Sequence, residues 1–250
     1  MTQQFKSQNH QAGFSLVELI IAMTITLVVL GISTTLLARA LNIRTRANDN
    51  VDAMADAERA LNIMSREIAQ AGFNLTDNGI VPEDSVTDAN GNSTIRIRAN
   101  LNKFSLCQCP GCPCASPEAR AGIGVPGEDS GEDIKYFIYP SQDTTLLARY
   151  DANALGNVKS SVLANKLDGL HIHYFAQRVT YSAGTTAAPC DISSPSQAEL
   201  ASPAAATYVV IAVCVQQSAV GKPGDPGYQP AYPTLLTSDV ALRNANLLDY

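Results

Sequence analysis

Four of the six cysteines in this 250-residue chain crowd into Cys107-Gln108-Cys109-Pro110-Gly111-Cys112-Pro113-Cys114, while Cys190 and Cys214 stand apart. Two chemistries suit such a cluster. Thiolates at Cys109 and Cys112 have the Cys-x-x-Cys spacing of half a zinc knuckle. In an oxidising compartment the same residues form disulfides instead. Pro110-Gly111 is a good turn pair and can bring Cys107 near Cys114. Cys109 with Cys112 and Cys107 with Cys114 would tie off a local knob. Longer pairs to Cys190 or Cys214 would staple a loop to the sheet. Six cysteines allow many pairings, and spacing alone does not choose among them. The proline-rich setting is unlike a thioredoxin active site.

The remaining candidate ligands are weaker. His171 and His173 alternate on a predicted strand, so both imidazoles share one face and could hold a metal. The sequence shows no third ligand beside them, and a partly exposed strand face is the simpler reading. Asp88, Asn90 and Asn92 resemble the opening of a calcium loop, but the glycine falls at position 91, too early for an EF-hand. A turn between strands accounts for them. The run Glu128-Asp129-Ser130-Gly131-Glu132-Asp133 has calcium-binding chemistry, yet a solvated acidic loop is the commoner use of such a run. There is no G-x-S-x-G, no phosphate loop and no credible triad. Nothing in the chain points to catalysis, a cofactor or a small-molecule substrate. The formal charge of −6 and the lack of a basic, aromatic-studded face argue against a nucleic-acid partner.

The elements that position these groups begin at the N-terminus. Gly13-Phe14-Ser15-Leu16-Val17-Glu18 opens an apolar run over 19–38 that holds no charged residue. As a helix it is long enough to cross the roughly 30 Å hydrocarbon core of a bilayer. The glycine directly before it is a plausible cut point. An ordinary secretory signal would be cut after the apolar region, around 34–40, but this run is long for a signal core and continues into helical sequence. Glu18 sits at the front edge of the run. A carboxylate near the apolar core costs about 2.5–3.5 kcal/mol on translocon scales, so it has a partner or a task unless it lies solvated at headgroup level.

Residues 41–71 contain no proline and no glycine, and Val51, Met54, Leu61, Met64 and Ile68 recur at helical spacing. Gly72 stands where a left-handed cap is expected. A helix over 14–71 would be on the order of 85 Å long. Its first half suits lipid or a filament core, and its second half would lay an apolar stripe on a soluble domain. Beyond it, strands are expected at 94–98, 134–139, 145–150, 170–175, 207–216 and 237–242, with a turn over 140–143. The near-continuous β-branched run at 207–216 predicts a central strand covered on both faces. Loops rich in Gly, Pro, Ser or Asn fall at 84–92, 108–133, 183–206 and 221–233. One helix followed by several strands predicts an α+β fold, the helix packed on an antiparallel sheet. About 175–180 residues behind the helix suffice to bury a core without metal or disulfide help.

In order and spacing, Gly13-Phe14 and Glu18 before the apolar run resemble the class III leader of type IV pilins and of type II secretion pseudopilins. That resemblance implies that a prepilin peptidase/methyltransferase cuts after Gly13 and N-methylates Phe14. It also implies that Glu18 serves assembly, pairing with the free ammonium of Phe14 on a neighbouring subunit and fixing its axial register. The segment 58–73 is similar to the corresponding part of PilW-like minor pilins. Asp168-Gly169-Leu170-His171-Ile172-His173-Tyr174 and Val240-Ala241-Leu242-Arg243-Asn244 look PilW-like or like J-type pseudopilins. The resemblance implies a leader at 1–13, a transmembrane or filament-core helix at 14–41, the soluble half of that helix at 42–72 and a periplasmic or extracellular β-rich domain at 73–250.

The implied partners are the peptidase, other major and minor pilin or pseudopilin subunits, and the inner membrane before assembly. The implied place is a single-pass inner-membrane anchor with its bulk in the periplasm, and then a pilus, a periplasmic pseudopilus or the cell surface. One feature runs against this orientation. Lys6 precedes the apolar run while Arg39, Arg44 and Arg46 follow it, the reverse of the positive-inside pattern. The cysteines downstream favour the implied orientation. Three functions fit: a minor pilin of a type IV pilus, a pseudopilin of type II secretion, or a membrane-anchored adhesin or binding module that enters no filament.

Overall fold

The computed structural model describes residues 14–101, 130–140, 145–154, 158–186, 188–224 and 228–244. The chain divides into two compact units, 1–47 and 48–250. Helix α1 spans Leu16–Ile68. In the first unit its residues are exposed throughout. In the second unit it buries one face, made of Ala53, Ala57, Ala60, Leu61, Met64 and Ile68 at spacings of three and four.

That face departs from the expected stripe. Val51 is 66% exposed and Met54 only partly buried, while three alanines occupy the contact. Alanine contributes little to a hydrophobic pattern, so periodicity overlooks it. Its small side chain lets the helix approach its neighbours closely.

The helix ends at Ile68, three residues before the expected stop. Bonds from the Gln70 amide to the Glu67 carbonyl and from Ala71 to Ile68 (both 3.0 Å) tighten the last turn. Gly72 then takes φ +75°, the left-handed cap anticipated from sequence. Space around it is also limiting: a Cβ at Gly72 would lie 2.7 Å from the Asp77 carbonyl oxygen.

Nine strands follow among the described residues: β1 Ile95–Arg98, β2 Asp133–Pro140, β3 Thr145–Asp151, β4 Ser160–Ala164, β5 Leu167–Phe175, β6 Ser182–Ala183, β7 Ile192–Ser193, β8 Tyr208–Gln217 and β9 Tyr232–Ala241. They form a four-stranded sheet in the order β1-β2-β3-β4, a three-stranded sheet β5-β8-β9, and the small pair β6-β7. All pairings are antiparallel. The fold is therefore α+β, as the pattern predicted. β9 starts well before the expected 237. β4 had no counterpart in the sequence reading, since Ser160-Ser161 carries no strand signal. The turn expected over 140–143 lies, beyond Pro140, outside the described residues.

β8 is the hub. It lies between β5 and β9 and is buried from Tyr208 to Val215. Its odd-numbered face (Val209, Ile211, Val213, Val215) joins the helix alanines and the Ile95, Ile97, Ile134, Tyr136 and Leu147 side chains of the other sheet in one core. Its opposite face packs Val210 and Ala212 against Phe175, Val179 and Ile192. A strand walled on both sides cannot alternate apolar with polar, which explains its unbroken composition.

Polar side chains lock these layers together. The Arg96 guanidinium donates from Nε to Asp133 Oδ1 (2.7 Å), from Nη2 to Asp133 Oδ2 (2.7 Å) and from Nη1 to Asp84 (2.6 Å), and Lys135 also reaches Asp84 (3.0 Å). Such bidentate, charge-assisted bonds are the strong kind. Lysine and arginine hold the Asp84 carboxyl below its usual range, Arg96 first. On the helix, Glu67 accepts a short hydrogen bond from the Tyr136 hydroxyl and a bond from Arg149 Nε at 3.0 Å. Tyr136 and Arg149 are directly opposite one another on β2 and β3. Burial, and then the adjacent carboxylate, pushes the Tyr136 phenol well above its ordinary value.

This contact yields a stability prediction. Glu67→Ala leaves the fully buried Tyr136 without its acceptor and removes the closer of the two carboxylates at Arg149, the other being Asp151 at 3.7 Å. The expected loss is about 2–3 kcal/mol. Tyr136→Phe is expected to lose about 1 kcal/mol, and the double variant less than the sum of the two. Urea unfolding of the chain in detergent measures all three.

Candidate functional site

At the N-terminus, Phe14 and Ser15 precede α1, and the Leu19 amide bonds the Ser15 carbonyl at 3.1 Å to close the first turn. Glu18 lies in that turn. Amides of a first turn have no intrahelical acceptor and carry the positive end of the helix dipole, which favours a carboxylate there. Phe14 is 84% exposed, and the apolar residues from Leu16 to Leu41 are likewise open. An apolar surface this continuous is matched by lipid or other helices and not by water.

The five hydroxyls within 19–38 agree with that surface. Each donates to a carbonyl one turn back: Thr24 to Ile21 (2.8 Å), Thr26 to Ala22 (2.7 Å), Ser33 to Val29 (2.8 Å), Thr34 to Gly31 (3.0 Å) and Thr35 to Ile32 (2.8 Å). Their protons are satisfied inside the helix, as an apolar solvent demands. The helix is long and apolar enough to cross a membrane. Gly13 lies outside the described residues.

A second constellation forms on β5. His171 and His173 project from the same face, and a loop brings acids to both. His173 Nε2 is 2.7 Å from Asp191 Oδ1, and its Nδ1 is 3.2 Å from Glu199. His171 Nδ1 is 3.7 Å from Asp191 Oδ2. Burial disfavours a charged His173, but the bonds to Asp191 and Glu199 outweigh it and raise the imidazole to about 9. For Asp191, burial is outweighed by His173, and its carboxyl falls below the ordinary value. Sequence reasoning missed Asp191 and Glu199 because they approach from a loop, where no periodicity marks them. The available signal was Cys190, directly before Asp191.

Cys190 is bonded to Cys214 on β8, with 5.1 Å between their Cα atoms. This bond uses both cysteines, so the long-range pairs expected from the 107–114 segment to Cys190 or Cys214 are not made; the bond instead ties the loop before β7 to β8. Cys107, Cys109, Cys112 and Cys114 lie outside the described residues. The Asp168 carboxylate comes close to both Sγ atoms, but sulfurs spent in a disulfide leave no thiolate for a cation there.

Asp88 closes its own turn, its Oδ1 accepting from the amides of Asn90 and Asn92 (2.8 Å each) with Gly91 at φ +86°. Asn92 reaches back to β5, where its Oδ1 accepts from the Leu170 amide (3.3 Å). The acidic run at 128–133 is not simply a solvated loop. Glu132 and Asp133 are buried: Glu132 accepts from the Leu101 amide (2.7 Å) and Asp133 holds Arg96. Glu128 and Asp129 lie outside the described residues.

Residues 8–34 match the family model of the prokaryotic N-terminal methylation motif. No curated protein and no solved structure matches the chain. The match supports a class III prepilin-type leader. Together with the long helix and antiparallel sheets, it supports a type IV pilin or pseudopilin-like protein. The motif is characteristic of structural pilin subunits and not of enzymes. It implies processing by a prepilin peptidase and assembly with other pilins, and with the apolar helix it is consistent with membrane anchoring. It stops at residue 34 and does not reach the segments that resemble PilW-like or J-type proteins.

The imidazole bridge has a definite pH signature. A group whose pKa rises on folding stabilises the fold while it is protonated. The His173 contribution is therefore full below about 6.5, its unfolded value, and is lost as pH rises through about 9. Discounted for solvent screening, it amounts to roughly 1–2 kcal/mol. Urea midpoints measured with chelator present are expected to fall across this window, and His173→Asn to flatten the fall.

Proposed function

We propose that the chain is a minor pilin of a type IV pilus, PilW-like in kind, that joins or primes the filament after leader cleavage between Gly13 and Phe14 and N-methylation of Phe14. The observation that carries this reading is the methylation motif at 8–34, whose residues from Leu16 onward lie on an apolar helix with internally satisfied hydroxyls. A leader at 1–13, a membrane or filament-core segment at 14–41, a soluble helical half at 42–72 and a β-rich domain at 73–250 describe its working parts. After cleavage, Glu18 pairs with the Phe14 ammonium of a neighbouring subunit. In a dry bundle of helices two unlike charges attract strongly and penalise any register that leaves them apart.

The Cys190–Cys214 disulfide supports a β-rich domain outside the cytoplasm, where such bonds persist. On this reading the protein sits first in the inner membrane with its bulk in the periplasm, and then in the pilus. A soluble domain of this size suits an occasional subunit better than one repeated densely along a fibre. The same motif serves type II secretion pseudopilins, and the segments at 168–174 and 240–244 resemble J-type members, so a minor pseudopilin is the second reading. An adhesin that enters no filament would not need the cleavage.

The test joins mass and phenotype. The mature chain purified from membranes is expected to begin at Phe14 and carry one added methyl. Glu18→Ala, which leaves helix propensity favourable, is expected to accumulate, insert and be cleaved but not to support piliation in a strain lacking the native copy. A mature chain that begins at Met1 or after residues 38–40 would overturn the pilin reading. Normal piliation with Glu18→Ala would overturn the role of Glu18. Loss of secretion with intact pili would select the pseudopilin.

A further inference from the structure

The edges of the two larger sheets are treated differently. At β1 the Val81 amide bonds the Arg96 carbonyl (2.9 Å) and the Arg98 amide bonds the Gly79 carbonyl (2.6 Å), so the segment 79–81 covers that strand. At β5 the Ser93 amide bonds the Leu170 carbonyl (2.6 Å). β4 is short, and its pairing shifts register opposite Leu147 and Ala148. β9 runs ten residues, and among the described residues no strand pairs with its outer side. Sheets blunt or cover long edges, except where another chain adds a strand to them.

Alternation fixes which groups face outward. The Leu242 amide bonds the Thr207 carbonyl (2.9 Å), so the even-numbered residues of β9 turn their backbone groups to β8. Leu235, Thr237, Asp239 and Ala241 turn theirs away from it, and Pro233 offers only a carbonyl. No other hydrogen bond uses these outward groups among the described residues. A groove runs beside the C-terminal half of this edge, between Asn62, Arg66 and Gln70 on one stripe of α1 and Asp239, Ala241 and Arg243 on the strand side.

The charge of the groove is one-sided. Arg66 and Arg243 are exposed, and neither has an ion-pair partner among the described residues. The helix positions three and four away from Arg66 hold no acid, so it gains no support from its own surface. The Asp239 carboxylate accepts from the Tyr181 hydroxyl (2.7 Å) on the other face of the sheet. Two unmatched cations thus flank a row of unpaired backbone groups, in a chain of net charge −6.

We propose that the outer edge of β9 receives an extended, acidic segment of another protein as an added strand. Main-chain bonds to residues 235–241 hold the segment, and its alternate side chains lie over α1, where carboxylates meet Arg66 and Arg243. The neighbouring strand would lie about 4.8 Å from β9, beside the wall that α1 provides. A second copy of this chain fits less well, since its own open strand carries Asp239 as its one charge. The inference stands on the free edge and its two arginines and does not depend on the pilin reading.

The experiment uses the full chain in detergent and capped, fluorescently labelled octapeptides in which valine alternates with glutamate, glutamine or lysine. Anisotropy at low salt is expected to give the glutamate peptide a Kd below about 1 mM, with the lysine peptide bound at least roughly tenfold more weakly. Added salt should narrow that difference. N-methylating alternate amides of the glutamate peptide, on the side that faces β9, should abolish binding. Ala241→Pro removes an outward N–H without touching the ladder to β8 and is expected to weaken binding about tenfold or more. Arg66→Gln and Arg243→Gln are each expected to weaken it about fivefold. These exposed positions should leave the melting temperature unchanged. Hydrogen exchange supplies the second readout: the amides of residues 235, 237, 239 and 241 should gain protection when the glutamate peptide is added. The proposal is overturned by no binding at millimolar peptide, by equal affinity for the lysine peptide, or by protection that falls elsewhere. It is also overturned if the chain self-associates through this edge, read as a dimer that Ala241→Pro dissolves, which would assign the groove to a second copy.

Discussion

The alanine-lined face of α1 is the constraint on which the second unit depends, because both sheets use it as their floor. Ile95, Ile97, Ile134, Tyr136 and Leu147 of one sheet and Val209, Ile211, Val213 and Val215 of the other meet Ala57, Ala60, Met64 and Ile68 in a single core. At about 25 cal/mol per Å² of apolar area removed from water, that shared burial dominates the favourable side of folding. Small side chains set the spacing, and spacing decides whether the sheets' long side chains interdigitate or leave gaps. Glu67 converts the same face into a directional fit. Its carboxylate meets Tyr136 and Arg149 only when helix and sheet are in the one register that brings them together.

Much of this architecture could be read from pattern. The alternation Ile95-Arg96-Ile97-Arg98 separates a core face from a charged one, and the structure sends the isoleucines inward and the arginines to Asp133. The unbroken run at 208–215 announces a strand with two covers. Patterns failed where the deciding quantity is not hydrophobicity. Ala53, Ala57 and Ala60 matter for their size, and Val51, the more apolar residue, faces outward. β4 is strand because β3 offers it a ladder, a tertiary cause that overrides weak local preference. Asp191 and Glu199 could not be assigned to the histidines, since they lie 18 and 26 residues from His173 and only the folded loop brings them near. The leader was legible because its signal is local: a glycine, an aromatic, a carboxylate and an apolar run in fixed order.

Among the described residues, most polar side-chain atoms whose surroundings exclude water are satisfied locally; the Tyr174 hydroxyl is an exception. The hydroxyls of the apolar helix use carbonyls one turn back. The outer edge of β5 is closed by the loop at 92–93, where the Ser93 amide bonds the Leu170 carbonyl (2.6 Å) and the Ser93 hydroxyl accepts from the Ile172 amide (3.0 Å). An edge so covered offers no ladder to a neighbouring chain. Buried Asp151 accepts from the Gly131 amide (2.8 Å) and the Ser130 hydroxyl (3.1 Å). The same economy explains why the second unit tolerates several buried acids without strain on its core.

The path of the chain through this core also sets a timetable. The helical segment that floors the domain is made early, and β9, which closes its sheet, is made last. Ser65 of the helix bonds Ser238 of β9 (2.7 Å), and Asn244 donates to the Ala71 carbonyl (3.3 Å), so these contacts join residues 173 positions apart in sequence. Contacts so distant in sequence form slowly and cannot form until the last strand has left the ribosome and, for an exported domain, the translocation channel. Until then one edge of β8 has no ladder partner. The core is thus complete only once β9 has joined β8, and the Cys190–Cys214 bond then holds the far loop to the same sheet.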